Sequence, residues 1–75
     1  MAGPPILQIL AENVRAYRAR TGISQDELAH RCGLHRTYVG SIERAERNVT
    51  LATLTMLADV MKVDVPSLLS KGGVK

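Results

Sequence analysis

Polar side chains that can hydrogen-bond to nucleic-acid bases are concentrated in one segment, from His35 to Arg44. Arg36 carries a planar fork of donors that matches the O6 and N7 acceptors of guanine. Thr37 can pair with a base edge or contact a thymine methyl group, and Ser41, one helical turn further on, can reach the same surface. The alternative, that Arg36 and Thr37 are only solvated surface residues, stays open on these residues alone.

The same segment is a poor choice for helix stability, which also favours a functional interpretation. Thr37, Tyr38, Gly40 and Ser41 are all indifferent or poor helix formers. Sequences tend to sacrifice local propensity at functional sites. We expect Gly40 to face outward and to let the backbone approach DNA closely. Tyr38 can lie either beside DNA or on the surface of the domain.

Composition predicts one small domain over residues 1–75 and is compatible with an anionic partner. The chain has 75 residues, one cysteine and a formal net charge of +3. A positive balance suits nucleic acid without proving it. A chain of this length buries only about 60% of its unfolded surface, and one cysteine cannot form an internal disulfide. We therefore expect a second copy to add stability.

Several other classes of protein have no support in the sequence. No apolar stretch approaches the roughly 20 residues of a membrane span, and a lone cysteine without an export signal predicts a cytoplasmic protein. His30, Cys32 and His35 do not have a zinc-site spacing and lack a fourth ligand, so we predict no metal and no cofactor. Cys32 is better explained as a small buried residue. No catalytic arrangement is present, so we predict no enzyme.

The elements that position these residues are five short helices, which makes the predicted fold all-α. Apolar residues recur at three- and four-residue spacing, and Ser24, Thr50 and Asp64 are suited to N-terminal caps. The predicted helices are Ile6 to about Arg20, Ser24 to Gly33, His35 to about Ala45, Leu51 to Met61, and a last turn after Asp64. Residues 1–5 and 71–75 are expected to be flexible.

Helices two and three have the spacing of a helix-turn-helix unit. Ser24 and Glu27 form a capping box, and Gly33 supplies a residue that tolerates positive φ in the short turn. Val39 and Ile42 then point inward, so the polar side of helix three must face outward.

These segments resemble the lambda-repressor/Cro-type helix-turn-helix family, also called the XRE family. The resemblance is carried by I-S-Q-D-E-L-A-H-R-C-G-L-H-R-T-Y-V-G-S-I-E-R-A-E-R-N-V-T-L, in which Gly33 follows Ala29 by four residues. It extends from about Leu10 to Leu69 and implies a lambda-repressor-like bundle. The run H-R-T-Y-V-G-S-I-E-R-A-E-R-N-V-T-L is especially similar to restriction-modification controller proteins, which are small dimeric regulators of transcription.

The resemblance implies a role for each matching residue. Base reading is assigned to Arg36, Thr37 and Ser41. Contacts with the DNA backbone or with base edges are assigned to Gln25, His35, Tyr38, Arg44, Arg47 and Asn48. Arg47 could instead pair with Glu43 or Glu46. A structural ion pair is assigned to Arg18 and Glu43.

Apolar residues near the C-terminus exceed what the inner faces of two short helices need. We expect some of them to form a homodimer interface, made of Leu51, Leu54, Val65, Leu68 and Leu69. The alternative is that all of them serve the core. In a two-fold dimer, two copies of helix three would meet successive major grooves about 34 Å apart, which predicts a palindromic operator in double-stranded DNA.

The sequence therefore predicts a homodimeric transcriptional regulator. Activation and repression are not distinguished; activation would require RNA polymerase as a partner, and Asp26 and Glu27 are candidate contacts. One alternative is an antitoxin-like or adaptor module that binds another protein through helices four and five. The other is a single-strand or RNA binder, which two aromatic residues disfavour.

Overall fold

A computed structural model describes residues 4–74, which fold into five α-helices without a β-strand in that range. The helices are α1 Pro5–Thr21, α2 Gln25–Cys32, α3 Arg36–Glu43, α4 Leu51–Met61 and α5 Val65–Leu68. This confirms the all-α prediction. Over the same residues, no helix has the length and apolarity needed to cross a membrane.

Local capping explains where most helices begin and end. The side chains of Ser24, Thr50 and Asp64 each accept a hydrogen bond from the backbone N–H three residues further on. Gly22 and Gly33 end α1 and α2 with φ of 73° and 67°, a region that glycine enters without steric cost. The bounds of α4 are those predicted from sequence.

The capping box at the start of α2 is only half formed in the structure. The Glu27 backbone N–H donates to the Ser24 hydroxyl at 3.0 Å. The Glu27 carboxylate does not return the predicted bond but pairs with Arg31 at 2.7 Å. An ion pair one helical turn away thus replaces the second half of the box.

The hydrophobic core lies between all five helices. Helix α3 packs against both α1 and α2, while α5 packs against α1 and α4. The largest fully buried side chains are Leu10, Val14, Leu28, Val39, Ile42, Leu57, Met61 and Leu68. With Val39 and Ile42 held inside, the opposite side of α3 faces solvent, as the sequence predicts.

The C-terminal end is more tightly built into the fold than the sequence predicted. Asn13, a polar residue of α1, is 2% exposed, and its Nδ2 donates to the carbonyls of Leu68 at 2.7 Å and Ser70 at 2.9 Å. Val74 lies in the core, although residues 71–75 were expected to form a flexible tail. Pro5 already belongs to α1. Residues 1–3 and 75 lie outside the described range.

Candidate nucleic-acid interface

The outward side of α3 and the start of α2 form one polar surface. Arg36 and Thr37 are exposed, and Ser41 is half-buried beside them. An open depression on this surface is lined by Gln25, Arg36, Thr37, Gly40, Ser41 and Arg44. The structure thus brings together the three residues predicted to read bases and two of those predicted to contact the backbone.

His35 caps α3 and orients the residues behind it. Its Nδ1 accepts the Thr37 backbone N–H at 3.1 Å and lies 2.7 Å from the Thr37 hydroxyl oxygen. One turn later, the Ser41 hydroxyl donates to the Thr37 carbonyl at 2.9 Å. The side chains of His35, Thr37 and Ser41 are therefore held in a row along the outward side of the helix.

Arg36 extends into solvent and is not packed against the domain. Its side chain is 68% exposed, and its Nη1 lies 3.7 Å from the Asp26 carboxylate, which is equally exposed. An exposed ion pair of this length is worth roughly 0–1 kcal/mol. Most of the guanidinium donors consequently stay accessible to an external acceptor.

Glu43 ties the start of α2 and the end of α3 to α1. Its carboxylate is buried and accepts Arg18 through two bonds, Nε to Oε2 at 2.5 Å and Nη2 to Oε1 at 2.8 Å. Gln25 Nε2 donates to Oε1 at 2.9 Å, and the Arg15 guanidinium donates to the Glu43 carbonyl. The ion pair that the resemblance implied between Arg18 and Glu43 is thus present, with Gln25 joined to it.

These contacts decide the ionisation of the Glu43 carboxyl group. Burial alone would raise the pKa of Glu43, but the hydrogen bonds from Arg18 and Gln25 and the charge of Arg18 outweigh it, so that the pKa is lowered. Glu43 therefore remains a carboxylate in the folded protein at neutral pH, which keeps the Gln25 amide directed toward it.

Two arginines, Arg44 and Arg47, follow α3 in the chain. Arg44 Nε donates to the Glu46 carboxylate at 2.9 Å, with both side chains more than half exposed. The Arg47 guanidinium lies over the ring of Tyr38, 4.8 Å from its centroid. Glu46 forms its ion pair with Arg44 and not with Arg47. The Tyr38 ring is half-buried at the edge of the core, so it supports Arg47 from below. Asn48 is exposed.

Gly40 differs from the prediction. It is buried rather than outward-facing, because the side chains of Gln25 and Arg44 lie across it. A Cβ atom at this position would lie 3.1 Å from Arg44 Nη1 and 3.6 Å from Gln25 Oε1. The Gly40 backbone therefore serves as the floor for these two side chains.

Two of the residues predicted at a dimer interface lie in the core instead. Leu54 is 6% exposed and Leu68 is fully buried, because short helices α4 and α5 need them to close the core. Leu51 is 79% exposed, and Val65 and Leu69 are half-buried. The surface that remains for association is smaller than the sequence suggested.

Cys32 is 3% exposed, and burial raises the pKa of its thiol, as for a small apolar core residue. Within residues 4–74, no three His, Cys, Asp or Glu side chains are grouped in a way that could hold a metal ion.

A helix-turn-helix family model matches residues 14–68, which is more than half of the chain. Together with the arrangement of α2 and α3, this match confirms the sequence resemblance. The chain belongs to the lambda-repressor/Cro-type helix-turn-helix family, a family of DNA-binding transcriptional regulators.

Individual relatives point to one branch of this family. The chain is 57% identical over 70 residues to control protein C.SmaI of Serratia marcescens, covering 93% of this chain and 83% of that protein. The fold is similar to that of the restriction-modification controller protein C.AhdI from Aeromonas hydrophila, with a TM-score of 0.77, 37% identity and coverage of 83% and 94%. It is also similar to SinR, a master regulator for biofilm formation solved in complex with DNA, with a TM-score of 0.74, 32% identity and coverage of 81% and 98%.

Proposed function

We propose that this chain is a homodimeric transcriptional regulator of the restriction-modification controller type, which binds a two-fold symmetric operator in duplex DNA. The observation that carries the proposal is that exposed Arg36 and Thr37 lie beside half-buried Ser41 on the outward side of α3, which packs against α1 and α2. The similarity to two controller proteins supports the type of regulator.

In this proposal α3 enters the major groove and the residues around it grip the backbone. Arg36 reads a guanine through its paired donors, while Thr37 and Ser41 contact the neighbouring base edges. Arg44, Arg47 and Asn48 face the phosphates on one side, and the N-terminal amides of α2 beside Gln25 face them on the other. Such backbone contacts set the register that lets the bases be read.

Association of two chains completes the proposed site. Leu51, Val65 and Leu69 are the predicted interface residues that keep exposed surface, and large exposed apolar side chains favour association. The adaptor alternative requires a protein-binding surface on the same helices, but Leu54 and Leu68 lie in the core and cannot contribute to it. RNA polymerase would be a further partner if the regulator activates transcription, and the proposed location is the cytoplasm, where bacterial DNA is accessible.

Selection of duplex sequences from a random pool tests the proposal, with wild type and Arg36→Ala compared in parallel. Wild type should select a short two-fold symmetric site. Arg36→Ala should lose about 1–3 kcal/mol of binding free energy and relax the preference at one base pair per half-site.

A matched control is Lys62→Asn, which also removes one positive charge. Lys62 has a φ of 59°, a conformation that asparagine tolerates, and it lies beside Thr21 and Val63, away from the α3 surface. Its binding should equal that of wild type. A wild-type protein that selects no consensus sequence contradicts the proposed function.

A further inference from the structure

Gly40 lies in the middle of α3, where the helical backbone conformation does not require a glycine. Its φ lies outside the left-handed region, so an alanine would fit the backbone conformation and would favour the helix. The residue is nevertheless buried on the side of α3 that carries exposed Arg36 and Thr37. Local structure therefore does not explain the absence of a side chain at this position.

The side chains above Gly40 provide the reason. Arg44, one turn further along α3, folds back so that its Nη1 comes to 3.1 Å and its Cζ to 4.0 Å from the position of a Cβ atom. Gln25 reaches over from α2, with its Oε1 at 3.6 Å. Together with Arg36, Thr37 and Ser41 they surround the open depression whose floor is Gly40.

The two covering side chains would respond differently to a Cβ atom. Gln25 is held by its 2.9 Å bond to buried Glu43, and a 3.6 Å separation is ordinary van der Waals contact. Arg44 is closer, and its Nε donates to the exposed Glu46 carboxylate. A methyl group at position 40 would therefore push the Arg44 guanidinium outward by a few tenths of an ångström and leave Gln25 nearly in place.

We propose that Gly40 is a positioning residue, whose missing side chain lets the Arg44 guanidinium lie close across α3, where it can bind one phosphate of the DNA backbone. The inference rests on the proposed DNA-binding function and deepens it, since it assigns the orientation of Arg44 to a residue without a side chain. Arg44 Nε donates to Glu46, but the terminal guanidinium nitrogens lie beside the base-reading residues and suit the paired oxygens of a phosphate.

Gly40→Ala separates this role from a merely structural one, because its effects on stability and on binding have opposite signs. The variant should unfold at a higher temperature than wild type, since alanine is the better helix former. Its affinity for the selected duplex should fall roughly tenfold, about the worth of one charge-assisted hydrogen bond. The dependence of binding on salt should weaken by the equivalent of about one phosphate contact per chain.

A double-mutant comparison shows whether the effect passes through Arg44. Arg44→Ala should itself weaken binding, and adding Gly40→Ala to it should cause no further loss. Thr21→Ala, in α1 and outside the depression, serves as a control that should leave affinity unchanged. These measurements use equilibrium titrations of the full chain with the duplex that wild type selects.

The possible results are distinct. If Gly40→Ala binds like wild type, or if it weakens binding equally with and without Arg44, the inference is overturned while the proposed function stands. If wild type binds no duplex at all, both fail.

Discussion

Glu43 is the residue on which three helices depend. It is 5% exposed, and its two carboxylate oxygens are bound by Arg18 from α1 and Gln25 from α2. A buried carboxylate is tolerable only when its hydrogen-bond acceptors are satisfied. Because Gln25 borders the proposed DNA surface, this core contact also fixes part of the site.

The first prediction concerns Glu43→Gln at neutral pH. The substitution removes the charge that faces Arg18 and should destabilise the fold. The cost should stay below the roughly 3–5 kcal/mol typical of a broken buried pair, because 24% of the Arg18 side chain is exposed. Denaturant unfolding at pH 7 measures it, and an unchanged free energy of unfolding would argue against the pair.

The second prediction is the pH dependence of the same contact. The pKa of Glu43 is lowered in the folded state from its ordinary value of 4.5, so the stabilisation is present above that value and is lost as pH falls through the lowered pKa. The pKa of Asp64 is lowered too, by its bonds from Ser67. Because Asp64 is present in wild type and in Glu43→Gln alike, its contribution cancels when the two are compared. Unfolding measured from pH 7 down to pH 3 should therefore show a steeper acid loss for wild type than for Glu43→Gln; parallel curves would sink the prediction.

At the scale of elements, α5 shows how a four-residue helix is held in place. It is far too short to be stable in isolation. Asp64 caps its start, and Asn13 donates to the carbonyl of its last residue, Leu68, and to that of Ser70 just beyond it. At Gly73 a Cβ atom would lie 1.8 Å from the Ser67 carbonyl oxygen, so only glycine allows the chain to pass there and bring Val74 into the core.

The third prediction follows from this anchor. Asn13→Ala removes the donor from two carbonyls and should destabilise the protein by about 2–4 kcal/mol, since buried acceptors left without partners are costly. Glu12→Ala, at the exposed neighbouring position, should change stability by less than about 0.5 kcal/mol. Urea unfolding of both variants checks this, and equal stabilities would show that Asn13 is not the anchor.

At the scale of the whole molecule, size makes association necessary for a long operator. The described part of the chain measures 26 × 23 × 22 Å and presents one α3. Successive major grooves on one side of DNA lie about 34 Å apart. A single chain can therefore read one half-site, and a two-fold dimer is the simplest way to read two.

The fourth prediction tests the proposed dimer through Leu51→Asp. Leu51 is 79% exposed and begins α4, where an acidic residue suits the helix dipole, so the fold should survive while a buried charge blocks association. Sedimentation should show a monomer that binds a full operator weakly.

Ile6→Asp provides the matched control for that experiment. Ile6 is also a large exposed apolar residue, 46% exposed, but it lies on α1 and outside the predicted interface. This variant should remain dimeric. A dimeric Leu51→Asp, or a monomeric Ile6→Asp, would place the interface elsewhere.

The helices and the exposure of Arg36 and Thr37 on α3 follow from local patterns in the sequence. Ser24, Thr50 and Asp64 cap the helices where predicted, because capping depends on atoms only three residues away. Arg36 and Thr37 are exposed as predicted, because the apolar positions of one short helix leave a single outward side. Both properties depend on residues that are close together in the sequence, so they can be predicted from the sequence alone.

Contacts between side chains of different helices could be seen only after the helices had been placed in three dimensions. Gly40 is covered by Gln25 from another helix, Asn13 binds carbonyls more than fifty residues away, and Leu68 fills the core instead of the surface. Each of these contacts depends on how separate helices pack together, and the spacing of apolar residues within one helix does not predict which residues of other helices it will contact. The residues of the proposed site can therefore be predicted from the sequence, but their arrangement depends on contacts between helices.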